Sequence, residues 1–234
     1  MSSGSTGGAS RKIAIIDYGM GNLFSVIQAC NQAGLEAGTT ADRDTILAAD
    51  AVVLPGVGAF GDAMNTLVKL DLDGVIKDVA ASDTPLMGIC LGMQLMMTES
   101  EEFGCHKGLG LIDGQVRRLK GGPGNQTGKQ ALKVPQVGWN RINKPGKTGN
   151  DDDWNAALLS GIPSGEYMYF VHSYYTEPTD FTTITSMTDY GTSEFCSSVQ
   201  TGNVFACQFH PERSGHQGLK MYQNLANILG NSTS

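Results

Sequence analysis

The sequence predicts one α/β domain: a mostly parallel sheet with helices on both faces and an antiparallel extension. Three observations lead there. Between Lys12 and Thr98 a strand, turn and helix pattern recurs, and strands alternating with helices imply parallel pairing. The second half replaces that alternation with short β-like runs. Finally, 234 residues with 40% hydrophobic content suffice to bury a sizeable core.

Met1 to Ser10 is Ser/Gly-rich without an apolar signal-peptide core and reads as a disordered leader. Residues 11–230 then form the domain and 231–234 a tail. Lys12-Ile-Ala-Ile-Ile16 is a β-branched apolar run that predicts a buried strand ending in the turn Asp17-Tyr-Gly-Met-Gly21. Asn22 is placed to cap a helix to Ala33, with Leu23, Val26, Ile27 and Cys30 at helical spacing and Gly34 as its stop. A second unit runs from strand Ala51 to Leu54 through Pro55-Gly-Val-Gly58 into a helix near Phe60 to Lys69. A third runs from strand Leu86 to Ile89 through Cys90 into a helix near Leu91 to Thr98. Gly121 to Lys129 and Asn143 to Asp153 read as polar loops. Glu194 to Gln200 and Val204 to Gln208 flank Thr201-Gly-Asn203 as a hairpin, and His216 to Leu229 closes the chain as an amphipathic helix.

Composition narrows the function. Sixteen Lys and Arg against 23 Asp and Glu leave a net charge of −7, which argues against nucleic-acid or anionic-membrane partners. No stretch approaches the roughly 18 consecutive apolar residues of a membrane span. Five scattered cysteines without a C-x-x-C pair suit a reducing, cytoplasmic setting rather than a disulfide framework.

The segment richest in chemistry is Gly88-Ile-Cys-Leu-Gly92. A strand enters a helix with Cys90 at the junction and glycines two residues to either side, the spacing of a nucleophile elbow. Such a turn exposes the sulfur at a helix N-terminus, which lowers a thiol pKa from about 8.5. The N–H of Leu91 would then face a developing oxyanion. The plain alternative is a buried structural cysteine. Of the four histidines, His210 has Glu212 two positions on, so an extended chain projects both to one side, where the carboxylate can orient the ring towards a nucleophile. Alone, His-Pro-Glu fits a solvated histidine equally well. His106 reads as surface, and His172 has no carboxylate two positions away. Cys207 and His210 fall on opposite strand faces without further ligands, so no metal is expected. Gly56-Val-Gly58-Ala-Phe-Gly61 fits a dinucleotide-binding pattern formally, but it follows the second predicted strand and carries Pro55. Backbone N–H groups facing a substrate oxygen are the better use.

Taken together, Gly88-Ile-Cys-Leu-Gly-Met-Gln94, Pro55-Gly-Val-Gly58 and His210-Pro-Glu212 resemble the class I, triad-type glutamine amidotransferases, whose fold is flavodoxin-like. Within that family, four further stretches resemble the glutaminase subunits of imidazole glycerol phosphate synthases: Asp17 to Asn22, Gly108 to Gly114, Val137 to Asn140 and Tyr169 to Tyr174. The resemblance implies glutamine hydrolysis without a cofactor, with Cys90 as nucleophile, His210 as proton shuttle and Glu212 orienting it. It places the oxyanion at Leu91 and Gly58, Gly56 among the substrate-binding residues, and the substrate's α-groups near Gln94, Glu102, Ser173 and Tyr174. It also implies a heterodimer with a cyclase (β/α)8 barrel that receives the ammonia for histidine biosynthesis, docked near Asn22, Gln136, Trp139 and Arg213. The family usually has His at position 136 and Lys at 213. Those two departures favour, as an alternative, a paralogue supplying ammonia to amidino sugars of surface polysaccharides. A non-enzymatic binding module on the same fold, and a peptidase or γ-glutamyl hydrolase needing no partner, are the further alternatives.

Overall fold

A computed structural model describes residues 11–121, 132–146, 154, 156–191 and 193–231. The leader at 1–10, most of the polar loops read at 121–129 and 143–153, and the last three residues of the tail lie outside the described residues.

In chain order the first half comprises β1 (Lys12–Ile16), α1 (Leu23–Gln32), β2 (Glu36–Thr40), α2 (Arg43–Leu47), β3 (Ala51–Gly56), α3 (Phe60–Lys69), α4 (Leu72–Ala80), β4 (Leu86–Cys90) and α5 (Leu91–Leu95). Then follow β5 (Met97–Ser100), β6 (His106–Lys107), β7 (Ile112–Arg118), β8 (Gln136–Ile142), β9 (Glu166–His172), β10 (Tyr174–Pro178), β11 (Ile184–Tyr190), β12 (Ser193–Thr201), β13 (Val204–Cys207) and α6 (Gly215–Asn231).

The main sheet runs β2-β1-β3-β4-β13-β12-β10-β7-β5-β6, with β11 pairing β12. From β2 to β13 the pairings are parallel; β12, β10 and β7 continue the sheet antiparallel, as the sequence predicts for its second half. The two-residue turn Gly202-Asn203 joins β12 to β13 where the hairpin is predicted. Strands β8 and β9 form a separate antiparallel ribbon.

Because successive strand residues point to opposite faces, β1 divides its side chains between two cores. Ile13 and Ile15 pack with Val26 of α1 and with Tyr222 and Leu225 of α6, while Ala14 and Ile16 pack with Ile46, Phe60, Leu67 and Ile76 of α2, α3 and α4. The result is three layers, with helices covering both faces of the parallel strands. The Asn22 side chain accepts from Ser25 N–H at the start of α1, as its sequence position predicts.

The helix after Cys90 is shorter than the predicted Leu91 to Thr98. It ends at Leu95 and the chain turns into β5, because the carbonyls of Leu95, Met96, Met97 and Thr98 accept N–H groups from the 108–112 segment instead of from the helix's next turn. His106 also differs from its predicted surface position: it is half-buried in β6, with its ring beneath Gly61 of α3.

Candidate active site

Cys90 ends β4 with φ +55° and ψ −108°, a conformation that L-residues adopt only under constraint. Its surroundings supply that constraint. A Cβ on Gly92 would sit 1.8 Å from the Leu54 carbonyl oxygen, so only glycine lets α5 start against β3. A Cβ on Gly88 would meet the Met96 sulfur and methyl at 2.9 Å and Ala206 Cβ at 3.1 Å. Both flanking glycines thus allow close approach, one against rigid backbone and the other against a flexible side chain.

Pairing of β4 with β13 brings the distant histidine near. Ile89 lies opposite Cys207, and Gln208-Phe209-His210 continues past the sheet edge. The His210 N–H donates to the Tyr169 carbonyl at 2.9 Å, and the Ser214 hydroxyl donates to the His210 carbonyl at 2.7 Å. His210 Nδ1 lies 2.7 Å from Glu212 Oε1, and both side chains are almost wholly buried. The pair forms by a different route from the extended segment predicted: Pro211–Arg213 is a turn of 3-10 helix capped by His210, and the turn folds the carboxylate back onto the ring.

His210 Nε2 is buried with no nitrogen or oxygen partner among the described residues, and the Cys90 sulfur is close enough to govern its charge. Burial alone would lower the imidazole pKa; the negative charge of a Cys90 thiolate, with the Glu212 carboxylate, overcomes that and raises it to about 10. The neighbouring His172 behaves oppositely. Burial lowers its pKa to about 4, against a hydrogen bond to the Tyr174 carbonyl, with the His210 charge lowering it further. Neutral His172 donates from Nδ1 to that carbonyl at 2.8 Å, and the Gln136 side-chain amide lies 3.1 Å from Nε2.

Beside Cys90 opens a cavity of about 260 Å³, small for a drug-sized ligand and suited to an amino acid. It brings together Cys90, Leu91, Gly58, Gln94, Glu102, Ser173 and Tyr174 of the predicted site residues. Gly58 has φ +122°, a glycine conformation, and Glu102 Oε2 accepts the Phe60 N–H at 2.6 Å. Gly56 stands behind the cavity wall, opposite Cys90 in the sheet and against the Tyr18 hydroxyl, which donates to the Pro55 carbonyl at 2.9 Å. Val57, Pro135, Val171 and His172 also line the cavity and were not foreseen in the sequence.

Gln208 was missed as well. It is fully buried, its Nε2 lies 3.6 Å from Cys90 Sγ, and its Oε1 accepts from Gln94 Nε2 at 3.0 Å. The available signal was a polar residue inside the apolar run Val204 to Phe209.

The predicted docking residues separate into exposed and buried. Trp139 is 56% exposed and meets the Tyr169 ring edge-on at 6.1 Å. The exposed Arg213 sets its guanidinium 4.7 Å from the centre of the same ring. Asn22 is exposed at the start of α1, a helix that packs on the 3-10 turn holding Arg213. Gln136 is different: only 3% exposed, it faces inward to His172, so its own side chain offers no docking surface.

The family described as "Glutamine amidotransferase class-I" matches residues 14–227. The chain is similar to the imidazole glycerol phosphate synthase subunit HisH of Moorella thermoacetica, 46% identical over 94% of this chain and 96% of that one. It is similar to the same subunit of Syntrophotalea carbinolica, 44% identical over 92% of this chain and all of that one. Among solved structures, PurLQS from Thermotoga maritima superposes with a TM-score of 0.70 at 19% identity, covering 94% of this chain and 99% of that chain, a likeness of fold.

Proposed function

Because the chain belongs to the class I glutamine amidotransferases, and within them to the HisH subunits of imidazole glycerol phosphate synthase, we propose that Cys90, His210 and Glu212 are the residues by which it hydrolyses glutamine to glutamate and ammonia. The observation that carries this reading is the strained elbow of Cys90 beside a buried imidazole whose other nitrogen is held by a carboxylate.

The Cys90 sulfur attacks the glutamine side-chain carbonyl carbon. Glutamine's C–N bond breaks as His210 gives its Nε2 proton to the leaving nitrogen, which departs as ammonia and leaves a γ-glutamyl thioester. Water then attacks that thioester as His210 takes a proton from it, and glutamate leaves as the C–S bond breaks and the sulfur is restored as thiolate. Leu91 and Gly58 N–H groups bind the oxyanion, with Gly56 fixing the strand end behind them. Gln94, Glu102, Ser173 and Tyr174 hold the α-ammonium and α-carboxylate groups, and their place in the cavity supports that role.

As a HisH subunit the chain works within a synthase complex. The partner we infer is a cyclase (β/α)8 barrel that takes the ammonia for histidine biosynthesis, docked on the surface that Trp139, Arg213 and Asn22 share. Ammonia released to water at neutral pH would be protonated and lose its nucleophilicity, so direct transfer between subunits preserves it. Likeness to two imidazole glycerol phosphate synthase subunits over more than nine-tenths of the chain supports this acceptor over the amidino sugar to which the departures at positions 136 and 213 point. Among the described residues no helix is long and apolar enough to cross a membrane, and all five cysteines are free; we place the protein in the cytoplasm.

The test is glutamine turnover by the chain reconstituted with its barrel partner. We expect the partner's nucleotide substrate to raise that turnover and Cys90→Ala to abolish it. Unaltered turnover in Cys90→Ala would overturn the assignment of the nucleophile.

A further inference from the structure

We propose that Gln208 is an additional catalytic residue, whose carboxamide N–H donates to the Cys90 sulfur and favours its thiolate. The inference rests on the reading of Cys90 as nucleophile and adds to it a donor outside the triad.

One group beside the two amides has a fixed polarity. The Tyr174 main-chain oxygen can only accept, so the Gln94 side-chain nitrogen 2.9 Å away must be its donor. The same NH2 group has a second hydrogen, and the Gln208 side chain lies 3.0 Å from it, so Gln208 must present its oxygen there. That orientation leaves the Gln208 NH2 facing Cys90 Sγ at 3.6 Å, within range of an N–H to sulfur hydrogen bond. Turning either amide over would set two acceptors or two donors against each other in a buried place, at a cost of about 1–3 kcal/mol for each unpaired group. The direction of the chain is therefore set from the Tyr174 carbonyl to the sulfur.

The other contact of the sulfur has the opposite sense. Cys90 Sγ lies 3.8 Å from the Val171 carbonyl, to which only a protonated thiol can donate. The thiol thus has a partner in Val171 and the thiolate has one in Gln208. Because a hydrogen bond to an ionised acceptor is roughly twice as strong as a neutral one, the Gln208 contact favours the ionised sulfur. The titratable groups facing Cys90 are His210 after β13, Cys207 on β13 and Tyr18 after β1, with His172 from β9 and Glu102 after β5 on the same cavity. Of these, only His210 offers positive charge to the sulfur, and Gln208 adds a neutral donor whose strength does not depend on pH.

The test is alkylation of Cys90 by iodoacetamide across pH, read by mass spectrometry in a Cys105→Ser background. That background removes the one exposed thiol; Cys90 is itself buried, against the exposed sulfur expected from the sequence, but it lines the open cavity, which Cys30, Cys196 and Cys207 do not. In near-isosteric Gln208→Met we expect alkylation at pH 7 to slow about tenfold and its midpoint to rise by about one pH unit. The same variant lowers kcat for glutamine by a larger factor than it raises KM, since Gln94 loses its bond to Gln208 but keeps the one to the Tyr174 carbonyl. A second measurement needs no variant at position 208. In the 15N-labelled chain the Gln208 side-chain amide resonances move with the same midpoint as alkylation, and stay still in Cys90→Ser. Superposed alkylation profiles, or amide resonances that ignore the wild-type titration, overturn the role of Gln208. If turnover is still lost in Cys90→Ala, that failure leaves the nucleophile standing; if turnover survives there, the nucleophile and Gln208 fall together.

Discussion

Cys90 holds its backbone at φ +55° because its neighbours have been pared to hydrogen, and the two glycines differ in how much they must give way. At Gly92 the obstacle is the Leu54 carbonyl at 1.8 Å, part of the central sheet, so Gly92→Ala should cost about 3 kcal/mol in urea unfolding and displace the elbow enough to remove turnover. At Gly88 the nearest atoms end the flexible Met96 side chain, so Gly88→Ala should cost about 1 kcal/mol. Equal costs at both sites would contradict this packing. Glu212→Ala leaves His210 buried without its orienting carboxylate, and kcat should fall about 10³-fold with little change in KM. The His172 ring makes stability depend on acid. Its folded pKa, about 4, lies below the unfolded value of about 6.5, so the unfolded chain binds the proton first. The stabilisation it gives is complete above pH 6.5 and is lost as pH falls towards 4, by about 3 kcal/mol. Denaturant midpoints at pH 7 and pH 4 should show that loss, and His172→Gln should flatten it. The residues proposed as the triad could be singled out at this scale because glycine spacing and His-Pro-Glu are local signals. Gln208 was not, since its meaning lies in amides that meet from positions 94, 174 and 208.

Elements explain where local patterns misled. Helical spacing in Leu91 to Thr98 is real, but the strand-forming carbonyls from Leu95 onward found better-placed donors in residues 108–112, and tertiary pairing overrode propensity. Strand β2, Glu-Ala-Gly-Thr-Thr, was not foreseen: it lies at the sheet edge with no buried residue, so no apolar alternation marks it. Helix α4 carried a readable signal in Leu72, Val75, Ile76 and Val79, all buried on one face. The ribbon of β8 and β9, with Val137, Trp139 and Tyr167 exposed on it, is the element proposed for docking. Trp139→Ala should weaken association with the barrel subunit by about 2 kcal/mol, or roughly 30-fold by titration calorimetry, as central aromatic anchors do. An unchanged affinity would move the docking face elsewhere.

At the scale of the whole molecule, the site exists because the sheet joins its two halves. Cys90 belongs to the parallel first half and His210 follows the last strand of the antiparallel second half; only the pairing of β4 with β13 puts them side by side. The alternation of strands and helices was legible in the sequence, as was the β12–β13 hairpin. The identity of the strand beside β4 was not, because a parallel neighbour leaves no mark on local spacing. The two cores also sort the thiols. Burial raises Cys30 and Cys196 to about 12 and Cys207 well above its ordinary value. Under native conditions a thiol reagent should therefore label the exposed Cys105 and, through the cavity, Cys90, and the other three only on unfolding.

In the proposed reaction one sulfur, at the end of β4, carries the acyl group. The most direct measurement is rapid acid quench of the reconstituted enzyme during glutamine turnover, followed by peptide mass mapping. The account predicts a γ-glutamyl group on the peptide containing Cys90, absent in Cys90→Ala together with glutamate release. An acyl group carried by another residue, or glutamate release undiminished in Cys90→Ala, would contradict it.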